Sequence, residues 1–204
     1  MKLMCITTIA TILTLTSSGL CQVDPATMGI GIYFDPEGMN PCVSGIAPGE
    51  YGPGFVYLLI TRPYSACQQY GVSGWEAELQ VDGPLTILDW GLPAGAVNAS
   101  VPPVFYVGLA EPLMFSPAAV LLDMRVELTG TEPVSFRVHP APIPSLPCPV
   151  PVAVCACDLC EPECLPVSTG LDENDQPNVC ATINGDCPTP NRKTTWGDLK
   201  ALFR

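Results

Sequence analysis

The densest candidate chemistry in this 204-residue chain is sulfur. Cys155, Cys157, Cys160 and Cys164 follow one another with one, two and three residues between them, and Cys148 lies just upstream. Four thiolates so spaced could wrap a tetrahedral zinc, or with less precedent hold an iron–sulfur cluster; the alternative is oxidation to disulfides. Asp172, Asn174 and Asp175, with Asn178 and Asp186 close by, offer hard oxygen ligands to calcium. That run lacks the glycine turn and terminal bidentate glutamate of an EF-hand, so a solvated acidic loop is the plainer expectation. Glu76 and Glu78 point to one face of a strand, at a separation that paired glycosidase carboxylates could use, although two acids on a wet strand face need no such role. His139 is the single histidine. It has no nucleophile in a recognisable setting, and neither a Gly-x-Ser-x-Gly elbow nor a His-Glu-x-x-His helix occurs. Asn98-Ala99-Ser100 would accept a glycan only in a eukaryotic secretory route.

The fate of the thiols depends on compartment. Met1-Lys2, the apolar run Leu3 to Leu15 and the small residues Ser17-Ser18-Gly19 have the order of a secretory signal peptide. A cut after Cys21 leaves Gln22 as the new terminus, whereas a cut after Ser18 or Gly19 keeps Cys21 and lipidation of Cys21 is a further alternative. Export favours disulfides, and the candidates are Cys42, Cys67, Cys148, Cys155, Cys157, Cys160, Cys164, Cys180 and Cys187. A Cys42–Cys67 bridge would close a loop of about 26 residues, worth roughly 3–4 kcal/mol in the chain-entropy model. A Cys180–Cys187 bridge would clip a hairpin around Asn184-Gly185 for roughly 2–3 kcal/mol.

The elements that must position these groups read as strands. Gly54 to Thr61 is a β-branched and aromatic run set between Gly52-Pro53 and Arg62-Pro63, as expected of a buried central strand. Gly29 to Phe34 precedes the turn Asp35-Pro36-Glu37-Gly38. Trp75, Ala77, Leu79 and Val81 alternate with Glu76, Glu78 and Gln80. Leu122, Met124, Val126 and Leu128 alternate with Asp123, Arg125 and Glu127, and Val134, Phe136 and Val138 with Ser135, Arg137 and His139. With Leu85 to Leu88 and Val104 to Leu109 this makes about seven strands. The fold class expected is all-β, an antiparallel immunoglobulin-like sandwich, with a jelly roll or open barrel as the alternative.

Composition divides the chain into a signal at 1–21, a sandwich domain at 22–140, a cysteine-rich, mostly irregular acidic tail at 141–190 and a short helix at 191–204. Pro140 to Pro151 is proline-dense enough to be an extended linker. No lysine or arginine falls between Arg137 and Arg192, so the tail reads as a separate module held by cysteines rather than by a core. At the far end Trp196, Leu199, Leu202 and Phe203 recur at helical spacing, with Thr195 and Asp198 placed to cap. So short a helix is marginal alone and needs a docking surface, on its own sandwich or on a partner.

Eight lysines and arginines stand against 20 aspartates and glutamates, a net charge of −12. That balance argues against nucleic acid and anionic membranes as partners. Beyond the N-terminus no apolar run approaches the length of a membrane span. The segments Gly31-Ile32-Tyr33-Phe34-Asp35, Gly74-Trp75-Glu76, Phe105-Tyr106-Val107-Gly108-Leu109 and Thr195-Trp196-Gly197-Asp198-Leu199-Lys200 together resemble uncharacterised secreted bacterial β-sandwich proteins that close on a Trp-Gly-x-x-Lys tail. The resemblance implies bacterial export and the sandwich, and it transfers no catalytic or binding residue. The function expected is therefore a non-enzymatic module, secreted, periplasmic or on the cell surface, needing no cofactor and binding an unidentified protein or surface partner. A calcium-, zinc- or glycan-binding protein is the alternative.

Overall fold

The computed structural model describes residues 29–49, 54–62, 65–147, 149–157 and 160–188. It is an all-β chain in which two sheets enclose one core. The smaller sheet has the order β1 (Gly29–Tyr33), β3 (Phe55–Thr61), β8 (Ala119–Leu128), β5 (Leu85–Gly91), all antiparallel. β3 is an inner strand, as its apolar run implied, and Val56, Leu58 and Ile60 are fully buried. A bulge in β8 breaks strict alternation, so that Leu121 and Leu122 both reach the core.

The larger sheet is built on β4 (Val72–Asp82). On one side β4 pairs with β7 (Val104–Leu113), which pairs with β6 (Ala96–Asn98). On its other side two strands follow one another. β9 (Val134–His139) pairs with Glu78 to Asp82, and β10 (Val152–Cys155) continues the ladder along Val72 to Glu76. β11 (Glu163–Cys164) pairs with β10, β12 (Ala181–Ile183) lies beside β9, and β2 (Cys42–Val43) pairs in parallel with β12. The alternation read in β4, β8 and β9 is the inside–outside alternation of the structure. Trp75, Ala77 and Leu79 meet Met124, Val126, Phe136 and Val138 in the core, where Trp75 stacks on Phe105 with ring centroids 5.3 Å apart.

Residues 141–188 differ from expectation. They do not form a module without a core: Ala153, Cys155, Leu165, Val167, Ala181 and Ile183 are buried in the common one. Segment 166–168 also covers the free edge of β1, where Ile30 N–H donates to Pro166 O and Ser168 N–H to Ile30 O, both at 2.8 Å. Gly31 permits that approach, since a Cβ there would lie 2.4 Å from Ser168 Oγ. The proline-dense stretch after His139 is accordingly no spacer between domains. It is an excursion between two collinear strands, both anchored on β4.

The stretch around Cys67 contains a helix, α1 (Ser65–Tyr70). It stops at Gly71, whose φ of 80° and N–H donation to Cys67 O at 2.8 Å make a left-handed cap. The expected signal peptide, Cys21, Cys148 and the terminal helix with Trp196, Leu199, Leu202 and Phe203 lie outside the described residues.

Candidate functional site on the outer face of the larger sheet

Alternation turns Glu76, Glu78, Gln80 and Asp82 of β4 outward, beside Ser135, Arg137 and His139 of β9. Register pairs Glu78 with His139, Gln80 with Arg137 and Asp82 with Ser135. A chain of polar contacts runs across this face. The Arg137 guanidinium pairs with the Asp82 carboxylate, and Gln80 Nε2 donates to both Asp82 oxygens at 3.0 Å. A carboxylate only accepts, so the Gln80 amide has one orientation, with its Oε1 toward His139 Nε2 at 2.8 Å. A carbonyl oxygen also only accepts, so the imidazole proton sits on Nε2 and Nδ1 keeps its lone pair. Burial pushes the His139 pKa below its ordinary value; the nearby Glu78 and Asp82 charges oppose this and Arg137 reinforces it. The ring is thus a neutral, oriented acceptor at neutral pH.

The excursion after β9 folds over the same face. Its prolines donate no hydrogen bonds, so donors come only from the residues between them. Two of these fasten it: Ile143 N–H donates to Tyr106 Oη at 2.9 Å, and Ser145 N–H to Glu76 Oε2 at 2.8 Å. Between the excursion and the loop at 175–177 lies a cleft of about 410 Å³, with Glu78 and His139 at its base, Pro142 and Pro144 on one wall, and Asp175 and Gln176 on the other. Glu76 and Glu78 share a face, as expected, but they work apart: Glu76 holds the excursion while Glu78 opens into the cleft beside His139. The pairing of Glu78 with His139 was not anticipated. Each lies in a legible strand, but four strands separate them in sequence, and only the topology makes them neighbours.

The cysteines depart from the expected pairings. Cys42 is bonded to Cys187, Cys67 to Cys155 and Cys157 to Cys160, with sequence separations of 145, 88 and 3. Cys164 is disulfide-bonded as well. Neither Cys42–Cys67 nor Cys180–Cys187 forms. The parallel pairing of β2 with β12, continued by Asn184 N–H donating to Val43 O, brings Cys187 to Cys42. Ala156 N–H donates to Gly71 O at 2.9 Å, which joins the end of β10 to the end of α1 and sets Cys155 beside Cys67. Cys180 is a buried free thiol among the described residues, its pKa pushed up to about 11 by burial.

These bonds leave no thiolate set for zinc or an iron–sulfur cluster at Cys155, Cys157, Cys160 and Cys164. The oxygen-rich loop is a turn: Asp172 Oδ1 accepts from Asn174 N–H at 2.8 Å and Gln176 N–H at 2.9 Å, contacts that hold its carboxyl below the usual range. Asn174 and Asp175 are exposed around it, and the Asn178 side chain turns inward to donate to Thr169 O. Among the described residues no three metal-ligating side chains converge. Asn98 closes β6, its Oδ1 accepting from Ser100 and Tyr106 N–H and its Nδ2 donating to Val104 O.

No helix among the described residues is long and apolar enough to cross a membrane. No protein-family model matches the chain, and no curated protein sequence matches it.

Proposed function

We propose that the chain is an exported, non-enzymatic interaction module of the extracellular space, periplasm or cell surface, an immunoglobulin-like sandwich whose outer-face cleft is the recognition surface. One observation carries this reading. The proline excursion is tied through Tyr106 and Glu76 to a sheet face, which gives a preformed concavity on a frame cross-linked at sequence separations of 145 and 88. Proline-fixed backbone loses little entropy when a partner binds, so such a surface is preorganised. Disulfides at this density suit an oxidising compartment, and the resemblance to exported bacterial proteins agrees with one.

The test pairs two measurements. The intact mass of the exported chain, with and without reduction, reads the cleavage site and the oxidised sulfurs. Capture from extracellular fractions by the wild-type chain, compared with Glu78→Gln and His139→Ala chains of equal melting temperature, reads the cleft. Binding lost in both variants supports the proposal. A turnover activity abolished by Glu78→Gln or His139→Ala would overturn it in favour of an enzyme.

A further inference from the structure

A second concavity lies on the outer face of the smaller sheet, where Tyr57 of β3, Asp123 of β8 and Gly91 of β5 share one row. The row is open at Gly91. A Cβ there would lie 2.4 Å from both carboxylate oxygens of Asp123, so the carboxyl group reaches over the β5 backbone where a side chain would otherwise stand. Two turns rise beside it. One follows β5, and Ala96 N–H closes it on Pro93 O at 3.0 Å; the other joins β7 to β8, and Ser116 N–H closes it on Ala118 O at 3.2 Å. Together with β8 they enclose a pocket of about 360 Å³, walled by Pro93, Leu113, Met114, Ala118 and Val120, in which Asp123 is the one ionisable group among the described residues.

That carboxyl group lacks a counter-ion. Among the described residues the one ion pair joins Arg137 to Asp82, on the other sheet. Arg125 lies further along the same face of β8, but it is the register partner of Asp89 and forms no ion pair with Asp123. The contact that favours the charge of Asp123 is its own backbone N–H, while burial, and after it the Asp89 charge, raises its pKa above the ordinary value. A carboxylate among apolar walls is costly to leave unpaired, and a cation removes that cost.

The walls define the rest of the ligand. Apart from the Ser116 hydroxyl they offer no polar side chain, so a polar body would give up water without replacement. A guanidinium spreads its donors over a plane and would leave most of them unmet, whereas an ammonium is a compact charge that a single carboxylate can engage. Met114, 57% exposed at this wall, has the flexible thioether that adapts to an apolar guest. At roughly 30 Å³ for each water-sized group, the pocket takes a ligand of up to about a dozen non-hydrogen atoms.

We propose that this pocket is a binding site for a small apolar monoamine, its ammonium group on Asp123 and its hydrocarbon or aryl body between Pro93, Met114 and Val120. The cleft at Glu78 belongs to the outer face of the other sheet, so the amine site stands or falls independently of the recognition surface.

The test is an NMR titration of the isotope-labelled full exported chain with phenethylamine at neutral pH. Millimolar amine should shift the amides of Gly91, Met114, Ala118 and Asp123. Phenethyl alcohol, of the same shape but neutral, should bind at least tenfold more weakly, the scale of one hydrogen bond to a charged group. Asp123→Asn should lose affinity for the amine by the same factor and keep that for the alcohol. The alcohol comparison uses the unaltered chain, so it decides the matter even where Asp123→Asn fails to fold. Equal affinity for amine and alcohol, or amides at the pocket that do not shift, overturns the site. Shifts confined to Glu78 and His139 overturn it as well, since they place the amine in the other concavity. Tighter binding of Nα-acetyl-lysine amide than of phenethylamine overturns the small-molecule assignment and gives the pocket to a lysine of a partner.

Discussion

Replacing Cys42 and Cys187 together by serine should cost about 4 kcal/mol of stability. Standing alone, a cross-link over 145 residues is worth roughly 5 kcal/mol in the chain-entropy model. The second long bridge changes that figure because it is nested: Cys67–Cys155, with a separation of 88, lies wholly within the outer loop. With the inner bridge closed, the outer one constrains an effective loop of about 57 residues, which lowers its contribution to roughly 4 kcal/mol. That is a large share of the 5–15 kcal/mol typical of a domain. Urea unfolding without reductant, wild type against Cys42→Ser/Cys187→Ser, reads the difference. The m-value should rise as well, because the released chain exposes more surface on unfolding. A loss below about 1 kcal/mol with an unchanged m-value would refute the reasoning, since it would mean that the β2–β12 staple does not restrict the unfolded chain.

Other outcomes follow from the same structure. Because burial holds the His139 pKa below 6.5, the unfolded chain takes the proton first. Stability should therefore fall as pH drops below 6.5, level off under the folded-state pKa, and lose that slope in His139→Gln; melting temperature against pH, with NMR titration of the ring, checks the sign. Tyr106→Phe should speed amide exchange at Ile143 by about five- to tenfold, the equivalent of one hydrogen bond near 1 kcal/mol, and leave the core amides unchanged. Cys180, fully buried and with its pKa raised, should resist alkylation at pH 8 in the folded chain and react once it is unfolded; peptide mapping that finds it modified natively would contradict its burial.

What could be read from the sequence was what is local. β4, β8 and β9 each bury one face and wet the other, so their period of two survives in the residue order, and the apolar run of β3 announces an inner strand. β10 and β12 are only four and three residues long and sit among prolines and cysteines, too short for periodicity to register. Their composition suggested a coreless tail because the core they complete is supplied by strands far away in sequence. The disulfide partners are non-local for the same reason. At the site, the outward direction of Glu76, Glu78 and His139 was legible, but the division of labour between the two glutamates was not. It depends on where Ser145 lands after the excursion, which turn chemistry alone does not determine.

The collinear arrangement of β9 and β10 has a consequence for how this surface can vary. Each strand is fastened to β4 by its own register, so the intervening stretch could be lengthened, shortened or replaced with neither strand losing its place. Both long cross-links span that stretch, so even a molecule nicked within it would remain one covalent body. The frame thus behaves as a socket, and the proline-rich insert is the part that could be exchanged while both flanking strands keep their register on β4.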